Sequence, residues 1–152
     1  MISETVDAAD CVPSVLVVDD DFQVRKVFTA MLTTAGYSVR DAANGIEAKA
    51  AVQTVRFDVM ILDLRMPEMD GFDVLKFVRS KLPSLKIIVV SGFMLGGLLQ
   101  MAKYFGAAAT LEKPVELGVL LATVRTVLQA TTAQGLKSPR SLAGHTPRRS
   151  PS

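Results

Sequence analysis

The 152-residue chain has no tryptophan and one cysteine, and only 6% of its residues are aromatic. The lone Cys11 cannot close a disulfide within the chain, which excludes a disulfide-stapled extracellular scaffold and makes the cytoplasm the simplest expected location. No apolar run approaches the roughly 18 residues that a membrane helix needs. The opening MISETVDAADC has neither a basic segment nor an apolar one, so it does not read as a secretory signal. A strong charge of one sign is also missing, the net charge being +2. That small excess is uneven. Residues 1–13 carry Glu4, Asp7 and Asp10, whereas residues 131–152 carry Lys137, Arg140, Arg148 and Arg149. The stretch between them is nearly neutral, so the basic balance belongs to the tail and is a weak argument for nucleic acid.

What is present is a real core. Apolar residues make up 49% of the chain, and the length suits one domain. Short β-branched runs alternate with longer stretches of helical spacing. The runs are Val15–Val18, Tyr37–Asp41, Asp58–Asp63, Leu85–Val90 and Ala108–Leu111. Between them, Gln23–Ala35 repeats apolar residues every three or four positions and stops at Gly36. Asn44 and Glu47 resemble a capping box opening a helix to about Val55. Phe72–Leu82 turns Val74, Leu75 and Val78 inward, Leu98–Phe105 is a short helix stopped by Gly106, and Leu117–Gln129 aligns Leu117, Leu120, Leu121, Val124 and Leu128. Repeated strand–helix units predict a parallel sheet covered on both faces. The expected organisation is a flexible leader at 1–13, a folded domain at 14–130 and a disordered basic Ser/Pro-rich tail at 131–152.

In such sheets ligands bind beyond the carboxyl ends of the strands. Here those ends are polar. The first strand runs into Asp19, Asp20 and Asp21, the third ends in Asp63, the fourth in Ser91-Gly92 and the fifth in Glu112-Lys113-Pro114. Clustered carboxylates need a cation, and oxygen ligands favour a hard one such as Mg²⁺. A lysine and a hydroxyl beside it suit a phosphoryl group. Each residue alone has a plainer reading. Asp21 is expected to cap the first helix and Asp70 the third, while Lys113 alone would be a surface lysine. The coincidence of all of them at one end of the sheet favours a site.

The segments VVDDD, VMILDLRMPEMDGFDVL, IIVVSGF and LEKPV, in this order and with 28 residues from Asp63 to Ser91 and 22 from Ser91 to Lys113, resemble the receiver domain of two-component response regulators. The likeness covers about residues 14–130. It implies a flavodoxin-like (βα)5 doubly wound sheet of strand order 2-1-3-4-5. It also implies that Asp63 accepts a phosphoryl group from the phosphohistidine of a sensor histidine kinase or phosphotransfer protein. Asp20, Asp63 and the Arg65 carbonyl would bind Mg²⁺, with Asp19 acting through water. Lys113 and Ser91 would contact the phosphoryl oxygens, Gly92 would leave room for them, and Lys113-Pro114 would be a cis peptide. Pro67 and Gly71 would shape the loop after the third strand. Arg65 and Phe93 would tune the lifetime of the phosphorylated form. One departure stands out: Thr110 occupies the position where response regulators often carry a Tyr or Phe switch. Gly96-Gly97 is the expected substitute, a pliable start to the fourth helix that lets phosphorylation reorder Phe93–Phe105.

A stand-alone switch acting on another protein, without direct DNA or membrane binding, is the leading expectation. His145, in the tail, is incidental rather than a phosphocarrier. Apolar residues on the fourth and last helices, Val119, Ala122 and Val127 among them, are read as scattered surface residues or as a partner or phosphorylation-dependent homodimer face. A relay intermediate and a phosphorylation-independent pseudo-receiver are the alternatives. A haloacid-dehalogenase-type phosphatase fits less well, because it wants a second acid two residues after the nucleophile and this chain has Arg65 there.

Overall fold

Five aliphatic runs become five parallel strands, and each is followed by a helix that returns the chain to the same end of the sheet. The structure is a computed structural model and describes residues 12–65, 71–92 and 96–130. The elements are β1 (Ser14–Val18), α1 (Phe22–Thr34), β2 (Ser38–Ala42), α2 (Gly45–Thr54), β3 (Val59–Asp63), α3 (Gly71–Lys81), β4 (Lys86–Gly92), α4 (Gly96–Tyr104), β5 (Ala109–Lys113) and a final helix α5 at 117–130. The strand order is β2-β1-β3-β4-β5, as expected for the flavodoxin-like topology. Cys11, Pro67, Asp70, Phe93, His145, nearly all of the leader and the whole tail lie outside the described residues.

Alternation along the central strands divides the core in two. Leu16, Val18, Met60, Leu62, Ile87 and Val89 face α2, α3 and α4, where they meet Val52, Val74, Leu75, Val78 and Ala102. Val15, Val17, Val59, Ile61, Ile88 and Val90 face α1 and α5, against Phe28, Leu32, Leu120, Val124 and Val127. Each face buries side chains whose truncation to alanine costs about 2–5 kcal/mol. Packing from both sides explains why β3 is buried at every position.

The helix ends follow their local chemistry. Asp21 caps α1, its Oδ1 accepting from the Gln23 N–H at 2.9 Å. At the other end Gly36, at φ 105°, closes the helix, with Tyr37 N–H donating to the Leu32 carbonyl and Gly36 N–H to that of Thr33. Asn44 caps α2 by accepting from the Glu47 N–H at 2.8 Å; Glu47 reaches back to the Ala43 N–H, one residue earlier than the usual capping box. Gly106 also sits at φ 105° and ends α4. A Cβ there would lie 2.5 Å from Cδ of Arg79. Arg79 is held by the chain after α3, donating to the carbonyls of Leu82, Pro83 and Leu85. Burial of its guanidinium lowers its pKa.

Three expectations change. Val127, expected beside the core face of the last helix, is 6% exposed and packs in the core, while Leu117, expected inside, is 38% exposed. The buried stripe of α5 therefore runs Leu120, Val124, Val127, and Leu117 precedes the turn that meets the sheet. Gly96 and Gly97 lie within α4 rather than ahead of it. β5 extends to Lys113, so Glu112 and Lys113 are strand residues paired with Ser91 and Gly92 of β4.

Candidate functional site

The strand order brings the carboxyl ends of β1, β3 and β4 side by side at the centre of the sheet. Asp63 is the last residue of β3, and Asp19 follows the last residue of β1 by one position. Both are buried, whereas Asp20 is exposed. Carboxylate oxygens of the three lie within 4.8 Å of one another. All the donors are hard, anionic oxygens, and the set suits Mg²⁺ chemically.

Lys113 bridges the buried pair. Its Nζ is 2.8 Å from Asp19 Oδ2 and 3.4 Å from Asp63 Oδ2, so it sits closer to Asp19 than to the expected phosphoacceptor. The other Asp63 oxygen accepts from the Arg65 N–H at 3.1 Å. Burial raises the pKa of Asp63, and the charge of Asp19 adds to the rise. The Arg65 amide and the Lys113 ammonium offset only part of it. Burial pulls Lys113 the other way, but the hydrogen bond it donates to Asp19 and the charges of Asp63 and Asp19 outweigh that and raise its pKa overall. The pocket therefore holds a carboxylate whose charge burial disfavours and a cation would relieve.

Ser91 is fully buried on β4, and its Oγ has no hydrogen-bond partner among the described residues. A buried hydroxyl without a partner is costly unless an incoming group completes it. At Gly92 a Cβ would meet, among the described residues, only Lys113 Cβ, at 3.9 Å, so their packing does not require glycine there. Gly71 is different: a Cβ would come within 2.5 Å of Leu64 Cα and 2.6 Å of the Asp63 carbonyl oxygen. Only glycine lets α3 start directly against the end of β3. The Lys113-Pro114 peptide is cis. Thr110 is half-buried and pairs with Val89 in the β4–β5 register.

Sequence reasoning missed Arg25. From α1 its Nη1 donates to the Asp19 carbonyl and its Nε to Asp41 Oδ2, each at 2.8 Å. A side chain bound to a backbone oxygen leaves no pattern in the sequence; the available hint was a cation one turn beyond the Asp21 cap. A largely apolar groove of about 660 Å³ also begins at the site, between Lys113, Pro114 and Val115 on one side and Val24, Val27 and Phe28 on the other.

Over residues 15–125 the chain matches the family described as the response regulator receiver domain. It is 33% identical over 129 residues to the transcriptional regulatory protein ZraR of Salmonella typhimurium, covering 85% of this chain and 29% of that one. It is 28% identical over 114 residues to sporulation initiation phosphotransferase F of Bacillus subtilis, covering 75% of this chain and 92% of the relative. The chain thus spans less than a third of the length of the first and nearly all of the second. Among solved structures, the chemotaxis protein CheY4 of Vibrio cholerae superposes with a TM-score of 0.73 at 38% identity, over 78% of this chain and all of that one.

Proposed function

Because the chain belongs to the response regulator receiver domain family, we propose that it is a two-component phosphoacceptor switch that takes a phosphoryl group onto Asp63. The observation that carries this reading is the Asp63 carboxylate itself. It is buried at a strand end, clamped by Lys113 and surrounded by oxygen donors from Asp19 and Asp20.

In the proposed reaction an Asp63 oxygen attacks the phosphorus of a phosphohistidine on a sensor histidine kinase or phosphotransfer protein. A P–O bond forms, the P–N bond breaks, and its electron pair leaves with the histidine nitrogen. Asp19, Asp20, Asp63 and the Arg65 carbonyl would hold Mg²⁺, which when bound supplies charge neutralisation between the carboxylate and the phosphoryl oxygens. Lys113 would transfer its hydrogen bonds to those oxygens, and the Ser91 hydroxyl would donate to one of them, ending its unpartnered state. The absence of a Cβ at Gly92 leaves space beside them. The apolar groove next to Lys113 offers the donor protein a surface. Output would pass to a protein through the face on which Met101, Tyr104 and Val119 are exposed. The near-neutral charge of residues 14–130 makes direct DNA contact the weaker expectation.

A second reading, relay rather than terminal switch, draws support from the likeness to a phosphotransferase that the chain covers over 92% of its length. In that reading the acyl phosphate on Asp63 passes to a histidine on a further protein.

The direct test is incubation with Mg²⁺ and acetyl phosphate followed by intact mass spectrometry, beside Asp63→Asn. One Mg²⁺-dependent phosphoryl addition, lost in the variant, is the expected result. No addition with the fold intact, together with no response to beryllofluoride, would leave a binding-only module. Transfer of label onward to a purified histidine phosphotransfer domain would select the relay.

A further inference from the structure

Asp19 is restrained at every polar atom it has. Its N–H donates to the Ala42 carbonyl at 3.2 Å, and its own carbonyl accepts from Arg25 Nη1 at 2.8 Å. Its Oδ1 accepts from the Asp21 N–H at 2.9 Å and its Oδ2 from Lys113 Nζ at 2.8 Å. Asp20 differs. It is exposed, and its N–H belongs to the same peptide as the Asp19 carbonyl. Whatever holds that carbonyl therefore fixes the peptide from which the Asp20 side chain departs.

Arg25 is built to hold it. Its side chain is only 13% exposed. Besides the Asp19 carbonyl it binds Asp41 Oδ2 at 2.8 Å, and its guanidinium carbon lies 5.6 Å from the centre of the Phe22 ring. A planar fork gripped by an anion and covered by a ring has little freedom to turn. It ties the ends of β1 and β2 together at the point where the acidic residues emerge.

We propose that Arg25 is a positioning residue for the acidic cluster, fixing the Asp19–Asp20 peptide so that both carboxylates converge with Asp63 on a divalent cation. The inference rests on the reading of that cluster as a Mg²⁺ site. It makes a prediction opposite in sign to simple electrostatics. Deleting a cation near three carboxylates should, by charge alone, tighten Mg²⁺ binding. Loss of positioning weakens it.

The test is calorimetric titration of the full chain with Mg²⁺ alone, in wild type, Arg25→Met and Arg25→Lys, with thermal melts of each in metal-free buffer. Arg25→Met keeps the apolar stem and removes the fork; its Mg²⁺ affinity is expected to fall about tenfold, as for other groups that orient metal ligands. Arg25→Lys keeps the charge but cannot grip both acceptors, and is expected to fall by a smaller factor. An unchanged or tighter affinity in either folded variant overturns the proposal, even if melting temperatures drop, because a purely structural role lowers stability without moving the metal affinity. Failure of the wild type to take Mg²⁺ would instead overturn the metal reading and this inference with it.

Discussion

β3 is bracketed by two aspartates that meet opposite fates. Asp58, just before the strand, is partly exposed and accepts from the Ser14 N–H at 2.8 Å, while its own backbone N–H and carbonyl pair with Ser14 and Lys86. Asp63, at the other end, is buried, shares one lysine with a second carboxylate and has its pKa raised chiefly by lost water. The first acid completes the fold; the second is left in want of a cation. The same residue type at the two ends of one strand is paired into the fold or left with a charge its surroundings disfavour.

The largest contrast between the two should be chemical. Asp63→Asn is expected to abolish phosphoryl addition from acetyl phosphate, read by intact mass, whereas Asp58→Asn should retain it. Next comes the cation. At one hundred times its dissociation constant, Mg²⁺ should stabilise the wild type by about 2.7 kcal/mol, and Asp58→Asn should show the same gain in urea melts. Gly71→Ala drives a Cβ into the backbone beneath Asp63 and should cost about 1–3 kcal/mol, visible as a lower denaturant midpoint without loss of slope.

A smaller effect concerns pH in metal-free protein. Since the folded pKa of Asp63 lies above its unfolded value, folding favours the protonated acid. The contribution is fully present below the unfolded value of 3.8 and is lost as pH rises through the raised folded value. Asp63→Asn should therefore match the wild type in acid and exceed it in stability near neutrality, by circular dichroism melts. A wild type as stable as the variant at pH 7 would mean that Lys113 compensates the charge fully. The smallest expected change is Gly97→Ala in α4, where a Cβ meets nothing within 4 Å among the described residues. It should stabilise by about 0.5–1 kcal/mol and so measure what the glycine costs the resting fold.

The sheet was legible because its evidence is one-dimensional. Apolar runs broken by acids, a serine, a lysine and proline mark strand ends at Asp19, Asp63, Ser91 and Lys113 without reference to any distant residue. What stayed hidden depends on three-dimensional contact. Nothing along the chain says that Lys113 would lie nearer Asp19 than Asp63, or that Arg25 would reach a backbone carbonyl. On α5 the spacing of apolar residues located a buried stripe but not its first member, since Leu117 and Val127 both fit a helical repeat and only the position of the sheet decides between them. Thr110 shows the limit from the other side. Its identity excludes an aromatic switch at that position, yet says nothing of what replaces it.

Gly36 and Gly106 adopt the same backbone angle at the ends of two helices, but only one of them is enclosed. A Cβ at 36 meets nothing within 4 Å among the described residues, whereas one at 106 meets the stem of Arg79. At the first position a side chain would therefore meet the strain of that angle and no clash with its described neighbours. At the second it would have to arrive together with a shorter residue at position 79, some 27 residues upstream. The turn after α4 thus depends on the carbonyl clamp after α3, since any side chain at 106 needs the space that the stem of Arg79 fills.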